Sequence, residues 1–257
     1  MAWPPFPYPS AGFEYTGARL RRAWAGLHAG DAEPWPRATA LVDAWIDFHA
    51  GRFEQAARAG LAAGLDGYAV ASKATCVHAV YLATRQPDKC ALLREVAERC
   101  ERQQHTQPAN AAAFYWQAYA LGRLAQEISV LEALAAGVAG KVKASLETTL
   151  RLAPRHADAH VALGVYHAEI IDKAGALVAG LTYGAKREAA LEHFRQALAL
   201  NPGSAIARIE YARALVMLGG RARAHEALAL CEEAAAGTPH DAMERLDIER
   251  ARQEIAA

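Results

Sequence analysis

Four prolines, Pro108, Pro154, Pro202 and Pro239, each close an apolar helical stretch, and each is followed within a few residues by another such stretch. Proline lacks the amide hydrogen and clashes with the preceding turn, so a helix stops where one stands. These four residues therefore cut the chain into units, spaced 46, 48 and 37 residues apart (154−108, 202−154 and 239−202). Regular recurrence on this scale marks stacked helix pairs, in which no unit buries its apolar side alone and each leans on its neighbours. Further Gly and Pro punctuation falls at 30–36, 51, 64–67, 86–87, 107–108, 153–154, 201–202, 219–220 and 237–239, as expected between short antiparallel helices. Nothing between these breaks alternates with period two over a strand's length, and Ala and Leu abound where β-branched runs are scarce. The expected fold class is all-α: an α-α superhelix, a solenoid of antiparallel helix pairs, over residues 18–257.

Ala190, Phe194, Ala197 and Pro202 read Ala-x-x-x-Phe-x-x-Ala-x-x-x-x-Pro, preceded by His160-x-x-Leu163-Gly164. This pattern resembles the second and first helices of a tetratricopeptide repeat (TPR). Against an unmodified repeat of ~34 residues, the last unit is near standard and the two before it carry about a dozen extra residues each. Both surpluses are Gly- and Ala-rich and fall inside a unit, at 126–140 and 170–184. Lengthened helices joined by a tight Gly-assisted turn are expected to absorb them. Trp45, Gly51, Phe53 and Ala56 resemble the helix–turn–helix of a first repeat, and 68–84 with 87–103 supply another pair. The order of segments 114–126, 133–154, 157–170 and 175–202 is similar to the regulator-of-microtubule-dynamics family of TPR proteins, over roughly residues 40–250 and most closely over 110–240. Animal members associate with microtubules and mitochondria. The Ala-, Arg- and Gly-rich composition here points to a bacterial type instead, so the resemblance implies the fold, the modified repeats and the absence of a known catalytic motif. A weaker resemblance is to the TPR component of some bacterial TRAP transporters.

Residues 1–17 stand apart. Pro4, Pro5, Pro7 and Pro9 forbid a regular helix, while Trp3, Phe6, Tyr8, Phe13 and Tyr15 supply rings that seek cover. We expect an extended arm packed on the body, with docking on a neighbouring chain as the alternative. Lys+Arg and Asp+Glu number 28 each, a balance without the basic bias of nucleic-acid binding, so no nucleic-acid partner is expected. The longest apolar run, 174–181, is far short of the ~20 residues of a membrane span, and no basic start followed by an apolar core suggests a secretory signal. Cys76, Cys90, Cys100 and Cys231 show no paired spacing and read as small buried hydrophobes in a reducing, cytoplasmic setting.

In a TPR superhelix the first helix of each pair lines the concave face. Aligning each closing proline places Tyr115, Tyr119 and Arg123, then Asp158, Val161, Val165 and Glu169, then Ile206, Ile209, Arg213 and Met217 at groove-facing positions. Rings, apolar chains and charges of both signs suit the capture of a protein or peptide segment. His156, His160 and His167 share a helix stripe, which reads as a packed or surface row in preference to a metal site. The 135–141 stretch fails as a phosphate loop, since Ala135 replaces the first glycine and Val142 the magnesium-holding hydroxyl. No nucleophile elbow or paired carboxylates appear. The sequence thus points to a non-catalytic scaffold without cofactor or metal. The alternatives are a small-ligand or transporter-accessory protein with a cavity near Val161, Val165 and Leu181, and a homo-oligomer assembled through the arm.

Overall fold

The computed structural model describes residues 3–256; Met1 and Ala2 of the expected arm and Ala257 at the end of the expected body lie outside the described residues. All regular structure among the described residues is helical, and it falls into two compact units. The fold class is all-α, of the TPR-like α-α superhelix type.

The first unit takes the chain up to His28, then Glu33–Ala153 and His240–Met243. It contains α1 (Gly17–Leu27), α2 (Thr39–His49), α3 (Phe53–Ala62), α4 (Tyr68–Val77), α5 (Gln86–Thr106), α6 (Ala111–Glu127), α7 (Val130–Ala135) and α8 (Val138–Leu152). The pairs are α2/α3, α4/α5 and α6/α8, with α4 also packed on α6. Between α3 and α4 the backbones nearly touch: a Cβ on Gly60 would stand 2.6 Å from the carbonyl oxygen of Gly67. Only glycine permits so short a link there. α4 runs on as a π-helical turn, His78–Leu82. The expected break at Gln86–Pro87 is instead the first turn of α5, where the missing amide of Pro87 is one that no helical carbonyl would have accepted; the break itself precedes it at 83–85.

Residues 29–32, 154–239 and 244 onward form the second unit. Its helices are α9 (Ala157–Ala174), α10 (Ala176–Tyr183), α11 (Arg187–Leu200), α12 (Ala205–Gly219), α13 (Ala224–Ala235) and, from Glu244 on, α14 (Ala242–Ala256). α9 pairs with α11, α12 with α13, and α12 also packs on α9. Starts are capped by side chains that accept an otherwise orphaned amide, His156 from Ala159 and Ser204 from Ala207. Val161, Ala168, Phe194, Ala197, Ala207 and Ala214 form the central core, with small residues letting the three helices close on the Phe194 ring. Gly164 lies directly against that ring.

The two surplus segments are not absorbed by lengthened helices. Each forms a separate short helix, α7 in one unit and α10 in the other. Gly137 (φ 61°), Gly175 (φ 75°) and Gly184 (φ 64°) stand at their ends in backbone conformations that stop a right-handed helix.

The expected arm lies on the first unit. The Phe6 ring packs over Gly51 and edge-on to Phe53, at a centroid distance of 6.3 Å, and Phe13 is buried. Farther along, Tyr15 donates its hydroxyl to the carbonyl of His240 at 2.8 Å.

Candidate functional site

On the first unit, α6 presents the three expected residues one turn apart. Tyr115 is only 4% exposed and packs on Trp116 and Tyr119, so it serves the core of the unit. Tyr119 and Arg123 are half-buried, the guanidinium lying 5.3 Å over the Tyr119 ring, a cation–π pair.

On the second unit the expected residues separate in the same way. Val161 and Ile209 are buried, in clusters with Phe194 and with Ala234 and Ala251 respectively. Asp158, Val165, Glu169, Ile206 and Arg213 are half-buried, and Met217 is exposed. Each helix therefore holds its neighbour chiefly with one residue of the set and leaves the next turns partly open to solvent, Val165 still packing on the Phe194 cluster from its edge. The solvent-reaching pairs, Val165 with Glu169 and Arg213 with Met217, are four residues apart and share a helix face. Glu169 accepts from Lys173 at 3.1 Å. Arg213 bonds Glu254 of α14 and lies 3.7 Å from Glu210. Of the residues expected to line a cavity, Val161 is a core residue, Val165 is half-buried and Leu181 is 81% exposed on α10.

The histidine stripe is packed. His156 caps α9. His160 meets His193 of α11, Nδ1 to Nδ1 at 2.9 Å, and the His167 ring stacks on the same His193 with centroids 5.8 Å apart. The imidazole contact needs one ring to donate and the other to accept, so it exists only while at least one ring is neutral. No group of three metal-ligating side chains suited to an ion occurs among the described residues. Burial pushes His193 down to about 4, with the neighbouring His160 and His167 adding to the fall and Glu192 opposing it. Burial lowers His160 as well, again opposed by Glu192. Since these folded values lie below the ordinary value near 6.5, the unfolded chain takes up more protons between about pH 6.5 and pH 4. Stability is thus complete above that range and is lost as the pH falls through it. We expect the urea midpoint to drop from pH 7.5 to pH 5, with His193→Gln removing on the order of 1 kcal/mol of that drop after allowance for solvent around half-buried rings. A midpoint that rises toward pH 5 would refute this.

The cysteines are free and buried. Burial pushes Cys100 up to about 11 and Cys76 well above the usual thiol range, which suits hydrophobic packing and leaves little reactive thiolate.

His193 was not singled out by the sequence. Its only sign is its place one residue before the repeat's Phe194, on the flank of α11 that turns to α9. Nor did any sequence pattern mark Glu54 and His78, which meet the arm at Trp3.

Helix pairs closing on a central phenylalanine, with small residues in the seams and an outward row on the first helices, define a TPR-like protein. More narrowly, the chain belongs to the regulator of microtubule dynamics protein 1-3 family, whose model matches residues 68–256. Among solved structures it is similar to a thermophilic TPR protein of Thermus thermophilus, TTC0263, at 18% identity and a TM-score of 0.59, covering 83% of this chain and 97% of that one. No protein of curated function matches it. No helix among the described residues is long and apolar enough to cross a membrane.

Proposed function

We propose that the chain is a non-catalytic interaction scaffold of bacterial, cytoplasmic type that captures a segment of a partner protein on the outward rows of its first helices. In this reading residues 1–17 are an arm and 18–257 the binding body. One observation carries it. In the second unit α9 and α12 pack side by side through Val161 and small residues, yet keep Val165, Glu169, Arg213 and Met217 in reach of solvent at matching places in their repeats. Two apolar chains, a carboxylate and a guanidinium held on rigid helices can receive a segment with little ordering cost on the receptor side. In the first unit the Tyr119–Arg123 stack supplies a second element of the same kind, an aromatic face joined to a cation, the pairing enriched at binding hot spots. The remaining set members, Tyr115, Asp158, Val161, Ile206 and Ile209, support the surface from beneath or beside it.

The test is a comparison of proteins recovered by the wild type and by Met217→Glu and Arg123→Glu. Met217→Glu is a surface change that should alter stability by no more than about 0.5 kcal/mol, while Arg123→Glu also gives up the Tyr119 stack, a loss of about 0.5–1 kcal/mol. We expect unchanged helicity and at least a tenfold loss of the captured partner. Equal recovery by all three proteins would end this reading.

A further inference from the structure

Residues 3–8 sit on the first unit in the way a bound peptide sits on a receptor. Trp3 stacks face to face on His78, with ring centroids 4.0 Å apart and planes 9° from parallel. Its backbone amide donates to Glu54 Oε2 at 3.2 Å. Three residues on, Phe6 fills the space over Gly51, where a Cβ would lie 2.7 Å from the ring. Its edge contacts are Phe53, Tyr8 and Phe13. The prolines between and beyond these rings, Pro4, Pro5 and Pro7, are exposed. They stiffen the segment, which lowers the ordering cost of docking two rings at a fixed distance.

The receptor side is built for this contact. His78 is 4% exposed, belongs to the π-helical turn after α4, and its Nδ1 has no hydrogen-bond partner. Burial, opposed by Glu54, lowers His78 to about 4, which keeps the ring neutral and suited to stacking. Gly51 (φ +83°) leaves the notch that the phenyl ring enters. Glu54, also paired with Arg58 at 2.7 Å, reads a main-chain amide and so places no demand on the side chain it meets. Every recognised feature is thus generic: two rings three residues apart, a stiff spacer and one amide.

We propose that the His78–Glu54–Gly51 slot is a docking site for an extended segment of a partner protein carrying aromatic-Pro-Pro-aromatic chemistry, and that residues 3–8 occupy it in cis as a displaceable competitor. The site is separate from the helix rows of the proposed scaffold function and does not depend on them. A tethered occupant competes at an effective concentration in the millimolar range, so the slot answers an external segment weakly while the arm is seated.

The probe is an N-acetylated, fluorescein-labelled peptide reproducing residues 3–9, titrated into the full chain and followed by fluorescence anisotropy. We expect Trp3→Ala/Phe6→Ala, which unseats the arm, to bind it at least tenfold more tightly than the wild type. The unlabelled peptide should compete, and the same peptide with both rings replaced by alanine should not. Should the double variant lose helicity, Trp3→Ala alone enters the same comparison. Equal binding to wild type and variant, or equal competition by the ring-less peptide, overturns the proposal. Concentration-dependent dimerisation of the wild type that Trp3→Ala/Phe6→Ala abolishes would assign the slot to a second copy's arm and overturn the partner reading. Met217→Glu should bind the peptide as the wild type does, so failure of the helix-row scaffold leaves this result standing.

Discussion

Asp241→Ala is expected to destabilise the chain by about 3 kcal/mol, the upper end of the penalty for stranding a buried hydrogen-bonding group without its partner. The Asp241 carboxylate accepts from His49 Nδ1 at 2.7 Å, and the two side chains are 5% and 0% exposed. The other ring nitrogen, Nε2, is buried without a hydrogen-bond partner. Deleting the carboxylate would therefore leave the imidazole with no polar contact at either nitrogen. Around it stand the rings of Tyr15, Trp24, His28, Trp45 and Phe48, a largely aromatic surrounding. The contact also fastens residues 240–243 into the first unit, beside the bond from Tyr15 to His240. At about 2–4 °C per kcal/mol for a protein of this size, the melting temperature should fall by roughly 10 °C. Asp241→Asn keeps an acceptor of the same shape and should cost about 1–2 kcal/mol. Urea and thermal unfolding of both variants decide the matter. A loss below about 1 kcal/mol for Asp241→Ala would mean that the pair contributes nothing to the folded state.

Such a contact is invisible in the sequence, because its partners are 192 positions apart and belong to no shared period. What was legible is local and repetitive. The spacing of Pro108, Pro154, Pro202 and Pro239 records the helix pairs, since a missing amide stops a helix wherever it falls. Phe194 and Gly164 mark one seam because a large ring there needs a small neighbour. The surplus segments were legible in place but not in form: Gly137, Gly175 and Gly184 fit a tight turn or a helix stop equally well until their positive φ is known. The surface was legible as a set of helix positions. The division of that set was not, because sequence gives the side of a helix and not what the neighbouring helix brings to it. Tyr115, Val161 and Ile209 were drawn into seams, while Arg213 and Met217, on the same first-helix register, met fewer neighbours and kept contact with solvent. The arm's aromatic content announced that it would seek cover, and the slot it covers comes from three separate elements that no motif links.

Gly164→Ala should destabilise the second unit, although alanine is the better helix former by about 1 kcal/mol. The added methyl would lie 2.7 Å from the Phe194 ring, closer than carbon atoms approach. That ring is fully buried and stacked on Tyr211, with centroids 5.0 Å apart and planes 9° from parallel, so it cannot swing aside without disturbing α12 as well. Overpacking of this kind costs about 1–3 kcal/mol, enough to outweigh the propensity gain. Phe194→Ala should cost about 3–5 kcal/mol by opening a cavity among Val161, Ala168, Ala207 and Ala214. The decisive variant combines the two sites. In a Phe194→Leu background the shorter side chain vacates the space over Gly164, so Gly164→Ala should become neutral or stabilising as its helix propensity is released from the clash. A double-mutant cycle on urea midpoints reads this as a coupling of at least about 1 kcal/mol. If Gly164→Ala carried the same effect in both backgrounds, the ring would not be resting on that glycine, and the seam joining α9 to α11 would have to be packed through other residues.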